Sequence, residues 1–397
     1  MSNASIAERA KQVLFPNYRQ APIALVRGLG SRVWDADGKE YLDFLGGIAT
    51  CALGHNHPAV RRAVEAQLQE LWHASNLVYT EPQVELAERL VSDGHAERAF
   101  FCNSGAEANE GALKLVRKWQ RENGHPERFE ILCAEQSFHG RTMGALAATG
   151  QPKYHRGFEP LPEGFKHLPF GDLAAFTAAV GESTAAILVE CIQGEAGVRV
   201  PPPGFIAGLR KLADERGLLL VFDEVQGGMG RTGKLFSFEW ENVEPDVFTL
   251  AKSLGNGLPI GALLAKERVA RVFQPGTHAS TFGGNPVTCS AAVAVYDELE
   301  NGALVRGALG AQRLWRGLEA LKADSGGLVE QVRGRGMWVG LQLADDRASR
   351  VLARARDLSL LVNAIGDRVI RLAPSLLVSD GDIDEGVQRL AEAIRTA

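Results

Sequence analysis

Hydrophobic and polar positions change rhythm three times along the chain. Up to about residue 55 the pattern is mixed: a short polar helix, then RVWDADGKEYLDF, in which two alternating runs flank Asp37-Gly38. Alternation on both sides of Asp-Gly predicts a hairpin. Apolar residues then recur at three-to-four spacing near 58–72, 82–93 and 105–121, which predicts three amphipathic helices. From about 98 to 265, short runs apolar on both faces take over: RAFFCN, FEILCAE, AAILVEC, LLLVFDEV, DVFTLA and GALLA. Helical stretches such as GFIAGLRKLADERG separate several of them. Strands with no polar face, alternating with helices, predict a mostly parallel sheet covered on both sides. Beyond about 285 a helix comes first. VEQVRG, MWVGLQL, LLVN and VIRLAP then alternate with ASRVLARARD and DIDEGVQRLAEAIRT, the pattern of a smaller α+β unit. Neither an internal repeat nor a low-complexity segment interrupts it.

In open α/β sheets ligands sit beyond the carboxyl ends of the strands, so candidate chemistry is sought there. Asn103-Ser104-Gly105-Ala106-Glu107 follows RAFFC and opens a helix. Ser104 and Glu107 have capping-box spacing. Gly105 and Ala106 then occupy the first helical positions, where N–H groups lack partners and the helix dipole favours an anion. Alone, the segment fits a plain capped helix as well as a phosphate seat. Asp223 and Glu224 close the very apolar LLLVFDE, and Lys252 closes DVFTLA before a glycine-rich turn. Each of these, alone, equally suits a solvated strand terminus.

Together they suit pyridoxal phosphate. That cofactor needs an amine for its aldehyde, an acid to keep its pyridine nitrogen protonated, and an anion seat for its phosphate. A lysine desolvated beside a cationic group has a lowered pKa, so it can serve as nucleophile and then as base. Gln226, one turn past the strand of Asp223, is in reach of the ring hydroxyl.

The set NSGAEAN, SFHGRT, IQGEAG, FDEVQGGMGRTG, LAKSLGNGLPIGA, STFGGNP and RLAPSL resembles the class-III aminotransferases. Within them it is most similar to the acetylornithine aminotransferases. The resemblance runs in family order from LDFLGGIATCALGHNHP to RLAPSL, nearly the whole chain. It implies an α/β fold of the aspartate-aminotransferase type (fold type I), with a mostly parallel seven-stranded sheet and a smaller α+β domain. The expected division is 1–55 packing with the small domain, 56–285 as the cofactor-binding domain and 286–397 as the small domain.

The resemblance also implies roles. Gly105 and Ala106 bind the cofactor phosphate, Phe138 stacks on the ring, Asp223 pairs with the pyridine nitrogen, and Lys252 forms the imine. Glu224, Val225 and Gln226 lie at the cofactor, and Thr281 reaches the phosphate from a neighbouring subunit, so a homodimer with shared sites is expected. Arg141, with Ser280 of the partner chain, takes the α-carboxylate of the acylated ornithine. Arg371 takes that of 2-oxoglutarate or glutamate, and Glu195 pairs with Arg371 while the ω-amino donor is bound. Read without the family, either arginine fits an ordinary surface residue, although a guanidinium is well shaped for a carboxylate. Two departures stand out: Cys191 where proline is usual, and Ala106 where threonine is frequent. Succinylornithine, ornithine, 4-aminobutyrate and succinyl-diaminopimelate are the alternative donors, because the cofactor motifs are shared.

Composition fits this reading. Of 397 residues 45% are hydrophobic and 23% charged, an ordinary globular balance. The net charge is -5 and no basic tract is interleaved with aromatics, so no nucleic-acid partner is expected. The five cysteines form no C-x-x-C pair, which signals neither a disulfide framework nor a metal site. The N-terminus lacks the apolar core of a signal peptide and no run could span a bilayer, so a cytoplasmic, membrane-free protein is expected. Two motifs mislead. GMGRTGKL has the glycines and lysine of a nucleotide-hydrolase loop but Leu235 where Ser or Thr must hold magnesium. It also spells G-x-G-x-x-G, yet LFSFEWENVEPD behind it is no convincing helix, which disfavours a nucleotide-binding ATPase or dinucleotide site. His55-x-His57 sits in a turn without acidic neighbours in sequence and reads as loop chemistry near a dimer interface rather than a metal site.

Overall fold

The computed structural model describes residues 1–397. The Asp37-Gly38 turn joins β2 (Arg32–Asp35) to β3 (Glu40–Asp43), with β1 (Leu25–Leu29) on the far side of β2. Gly38 has φ +86°, the left-handed conformation such a turn requires.

The central sheet contains β4 (Arg98–Cys102), β5 (Glu130–Ala134), β6 (Phe165–Leu168), β7 (Thr184–Val189), β8 (Leu219–Asp223), β9 (Val247–Leu250) and β10 (Gly261–Ala265). Their order is β4-β10-β9-β8-β7-β5-β6. β10 alone runs against its neighbours β4 and β9, and the other pairings are parallel. Five of the seven strands hold two buried faces or nearly so, and alternate residues enter different cores. Ile131, Ala186, Leu188 and Val221 pack with Ala112, Leu115 and Val116 of the helix Gly105–Glu122. Leu132, Ile187, Leu220 and Phe222 pack instead with Leu209 and Leu212 of the helix Phe205–Arg216. β6 was not anticipated: Phe-Lys-His-Leu is short and half polar, as suits the sheet's last strand.

The C-terminal part forms β11 (Val329–Arg335), β12 (Trp338–Leu343), β13 (Leu360–Leu361), β14 (Asn363–Ile365) and β15 (Val369–Leu372). Four of these make a sheet of order β11-β12-β15-β14. LLVN, read as one strand, is split, and its first half pairs in parallel with β3 of the N-terminal sheet. Arg32 ties the same region together through Asp382 and Glu385 of the helix Asp380–Thr396. No helix is long and apolar enough to cross a membrane.

Candidate active site

The parallel strands β4, β5, β7, β8 and β9 all end at one edge of the sheet, and a cavity of about 410 Å³ lies beyond those ends. A wider depression of about 590 Å³ lies at the opposite edge, around Asp246 and Lys266. It is shallow, lined by ion-paired side chains and without an apolar wall, so the chemistry is placed in the first cavity.

Lys252 follows β9 and lines the cavity, with φ +44°. Its side chain makes no hydrogen bond or ion pair within the chain. Burial is the largest influence on its ammonium and lowers its pKa; Glu195 opposes this, and Arg371 adds to it. Asp223 ends β8 and is 5% exposed. Its carboxylate accepts from Asn109 Nδ2 at 2.8 Å and from the Val225 N–H at 3.0 Å, and pairs with His139 Nδ1 at 2.7 Å. Asn109 is itself fixed by the Thr249 hydroxyl, which donates to its Oδ1 at 2.8 Å. The carboxylate is thus oriented from three sides.

At the helix start, Ser104 Oγ accepts from the Glu107 N–H at 3.2 Å. Glu107 reaches back to the N–H of Asn103, one residue before the cap, so the capping box is closed one position early. Gly105 and Ala106 line the cavity at the first helical positions, where their N–H groups have no partner inside the helix. A Cβ on Gly105 would stand 2.7 Å from Val225 Cγ1, so only glycine lets that helix end and Val225 share the cavity wall.

Phe138, Arg141, Glu195, Val225 and Gln226 also line the cavity. Arg371 Nη1 meets Glu195 Oε1 at 2.6 Å and Gln226 Oε1 at 3.3 Å, while Nη2 donates to Asn363 Oδ1 at 2.8 Å. Arg371 is only 2% exposed. Burial works against the Glu195 carboxylate, but Arg371 and Lys252 together hold its pKa below the usual range. Arg141 is exposed and has no ion pair. Its guanidinium lies 4.0 Å from the Tyr154 ring centroid and 5.2 Å from that of Phe138.

Of the residues expected at this chain's own cavity, one stands elsewhere. Glu224 is turned away from the cavity: its carboxylate accepts from the Ser237 N–H at 2.8 Å and from the Ser237 hydroxyl. It follows Asp223 on an extended backbone, so the two side chains leave opposite faces. Ser280 and Thr281 do not line the cavity of their own chain; Thr281 is exposed, and Asn103 Nδ2 reaches Ser280 Oγ at 3.5 Å.

Glu190, at the end of β7, escaped the sequence reading. It lines the cavity, and its buried carboxylate accepts from the N–H groups of Phe138 at 3.1 Å and Gly194 at 3.2 Å. Burial pushes its pKa up, and Asp223 adds to the rise. The available signal was positional: AAILVE ends in an acid at a strand terminus, as LLLVFDE does.

The glycine-rich loop after β8 is not a phosphate cradle. Gly228, Gly230, Arg231 and Thr232 are buried, and Arg231 Nη1 donates to the Pro374 carbonyl at 2.5 Å. His55 Nε2 lies 2.6 Å from Asp43, an acid distant in sequence that fixes the ring as a structural ion pair.

The cavity suits pyridoxal phosphate on its own chemistry. It combines a partnerless amine, an oriented carboxylate, first-turn N–H donors beside a required glycine, and Gln226 Nε2, which is buried without a partner. Comparison with known proteins agrees. Residues 14–394 match the family model of the aminotransferase class-III proteins. The acetylornithine aminotransferase of Myxococcus xanthus is 53% identical over 385 residues, 96% of each chain. The crystal structure of N-acetylornithine aminotransferase from Stenotrophomonas maltophilia superposes with a TM-score of 0.85 at 37% identity, covering 98% of both chains. Ornithine aminotransferase from Toxoplasma gondii, crystallised with oxidised glutathione and holding PLP at partial occupancy in its active site, gives 0.94 at 30% identity. That match covers 98% of this chain and 94% of the other.

Proposed function

This chain belongs to the class-III aminotransferases, pyridoxal-phosphate-dependent transaminases, and on that premise we propose that it acts on N2-acetyl-L-ornithine. It transfers the terminal amino group to 2-oxoglutarate, giving N-acetyl-L-glutamate 5-semialdehyde and L-glutamate, a step of arginine biosynthesis. The observation that carries the reading is the unequal state of the two arginines. Arg371 is covered by Glu195, whereas Arg141 stands free at the cavity mouth. A donor whose carboxylate is remote from its reacting amine needs only Arg141, and relatives named for that donor match across nearly the full chain.

Bound, the cofactor supplies an aldehyde to condense with amines and a pyridinium ring that withdraws electrons from the substrate carbon. Asp223 would keep the ring nitrogen protonated, and Asn109, His139 and the Val225 N–H hold its carboxylate in place. Gly105 and Ala106 would offer their N–H groups to the phosphate, and Phe138 and Val225, which line the cavity, would wall the ring. Lys252 accepts and returns the proton at the substrate carbon, for which its lowered pKa suits it. Arg141 receives the donor's α-carboxylate. When glutamate or 2-oxoglutarate binds, Glu195 leaves Arg371, which takes the α-carboxylate through two parallel hydrogen bonds.

The working unit we propose is a homodimer. Thr281 and Ser280 adjoin an exposed apolar surface in which Trp72, Leu77, Tyr79 and Phe282 are 60% exposed or more. Asn76 Nδ2 donates to the Ser280 and Gly283 carbonyls and so joins the two loops. An apolar patch of this kind marks an association surface, and Thr281 on it would reach the partner's phosphate seat, with Ser280 beside the donor. All five cysteines are free, as in a reducing compartment, and we place the protein in the cytoplasm.

Steady-state kcat/KM for N2-acetylornithine, N2-succinylornithine, ornithine and 4-aminobutyrate, with 2-oxoglutarate as acceptor, tests the assignment. N2-acetylornithine is expected to lead; a higher value for any other donor reassigns the substrate.

A further inference from the structure

Arg141 reaches the cavity mouth on a long side chain that no acid holds, yet recognition of a carboxylate needs the guanidinium in one place. The guanidinium lies against two aromatic rings, Tyr154 at 4.0 Å and Phe138 at 5.2 Å, which meet edge to face with centroids 6.0 Å apart. The Arg141 backbone is held by contrast. His139 before it is buried in the Asp223 network, and Gly140, at φ +143°, is crowded so that a Cβ there would come within 2.7 Å of Ala106 Cβ. Freedom therefore remains in the side chain alone.

Tyr154 is well mounted for restraining it. It ends the short turn Pro152–Tyr154, whose preceding residue, Gln151, is buried. Gln151 Nε2 donates to the carbonyls of Gln136 and Ser137 at 3.2 Å each, and the Tyr154 N–H donates to the Gln151 carbonyl at 2.9 Å. The turn is thereby tied to the segment that carries Phe138. Next to the turn, His155 Nε2 bonds the Thr149 carbonyl at 2.7 Å. The Tyr154 hydroxyl has no hydrogen-bond partner in the chain, so what the residue offers Arg141 is its ring face. Lys153 Nζ, also without an acid, lies 4.8 Å from the same ring centroid. One ring thus gathers two unpaired cations at the mouth, and a cation over an aromatic face is attracted by the ring quadrupole while keeping its N–H edge free for a carboxylate.

We propose that Tyr154 is a positioning residue for donor recognition: its ring presets the Arg141 guanidinium for a substrate carboxylate remote from the reacting amine. Preorganisation of this kind improves binding of that carboxylate without touching the reacting atoms. It does not touch the Arg371 site; the side-chain carboxylate of 2-oxoglutarate, which is also remote from the reacting carbon, would meet the same Arg141 guanidinium. The inference rests on the assignment of Arg141 to the donor carboxylate.

The experiment uses the holoenzyme and three variants, Tyr154→Leu, Tyr154→Phe and Arg141→Lys. Tyr154→Leu is expected to raise KM for N2-acetylornithine about five- to tenfold, with kcat within about twofold of wild type. Tyr154→Phe keeps the ring and should behave as wild type. Calorimetric binding of N2-acetyl-L-norvaline, which has the carboxylate and acyl group but no terminal amine, should weaken in Tyr154→Leu by the same factor. A fall in kcat as large as the rise in KM, no change in the donor KM, or a Tyr154→Phe defect as large as that of Tyr154→Leu overturns the proposal. If Arg141→Lys leaves the donor KM unchanged, the donor-carboxylate reading of Arg141 fails with it; a response to Arg141→Lys but not to Tyr154→Leu removes the role of Tyr154 alone.

Discussion

Arg371 Nη1 and Glu195 Oε1 stand 2.6 Å apart, with the carboxylate lining the cavity and the guanidinium behind it. Arg371 has three other partners, Gln226, Asn363 and the Gly194 carbonyl, so withdrawal of the Glu195 carboxylate leaves it oriented rather than loose. The pair acts as a cover that a second carboxylate can displace. Glu195→Gln removes the charge while retaining the shape. We expect its kcat/KM ratio for glutamate over N2-acetylornithine to rise about tenfold, roughly 1.4 kcal/mol of discrimination. An unchanged ratio would show that Glu195 does not select between the half-reactions.

How far such a site is legible in sequence depends on distance along the chain. Lys252, Asp223 and the Gly105-Ala106 seat are readable because each lies at or just beyond the end of a strand, and parallel strands deliver their carboxyl ends to one edge. Their partners are not. The hold on Asp223 comes from Asn109 and His139, residues of other segments that meet only after folding. Glu190 was passed over because AAILVE reads simply as a buried strand. Glu224, which the resemblance implies lies at the cofactor, is sent by strand alternation to Ser237 instead. In the fold, the hairpin and six of the central strands follow from local pattern. The transfer of Leu360–Leu361 to the N-terminal sheet does not, since a two-residue strand carries no pattern naming its partner.

Gly194 shows why the loop carrying Glu195 tolerates little change. A Cβ at this position would overlap Gln226 Oε1 and crowd the Trp338 ring. Gly194→Ala must therefore displace Gln226, and with it one of the contacts of Arg371. Overpacking of this sort costs about 1–3 kcal/mol. Thermal unfolding should report that loss, and KM for 2-oxoglutarate should rise about tenfold while the donor KM stays near wild type. Equal rises in both would mean general collapse of the cavity.

Lys252 without cofactor is a buried amine lacking an acid in contact, and its pKa is depressed by burial. For a group whose folded pKa is depressed, stability is fully present above the unfolded pKa and is lost as pH falls through the folded one. Cofactor-free Lys252→Met should therefore melt above cofactor-free wild type at neutral pH, and the gap should close as pH approaches about 10.4, the ordinary lysine value. The same variant should lose at least about 10⁴-fold in turnover, since nucleophile and base disappear together. A variant that melts lower at every pH would contradict the desolvation argument.

Glu224 makes the opposite linkage. Burial pushes its pKa up to about 7, with Ser237 opposing the rise. A carboxyl raised above its unfolded value of about 4.3 contributes stability that is complete below that value and lost as pH rises through about 7. Glu224→Gln should flatten the decline in melting temperature between pH 5 and pH 8 (roughly that span follows from the same two values). The flattening is partial, because Glu190 is shifted in the same direction. Since Glu224 faces Ser237 and not the cavity, kcat for the donor should remain within about twofold of wild type. A larger loss would restore Glu224 to the cofactor site.

Shared sites can be tested by mixing two inactive proteins. If Thr281 serves the partner's phosphate seat, a Lys252→Ala subunit and a Thr281→Asp subunit complement each other. The hybrid holds one site with Lys252 from one chain and Thr281 from the other, both intact, and one site carrying both defects. Thr281→Asp places a negative charge against the phosphate, and like charges disfavour binding, so the homodimer of that variant should retain little cofactor. Subunits unfolded and refolded together, or co-expressed with different tags, should regain activity in proportion to the hybrid fraction. Were Thr281 to serve its own chain, every hybrid site would lack either Lys252 or Thr281. Exposure of Thr281 outside its own cavity, on loops lined by Trp72 and Phe282, favours recovery. Hybrids that stay inactive would assign Thr281 to its own chain's site, and a Thr281→Asp homodimer that keeps cofactor and activity would place Thr281 away from both.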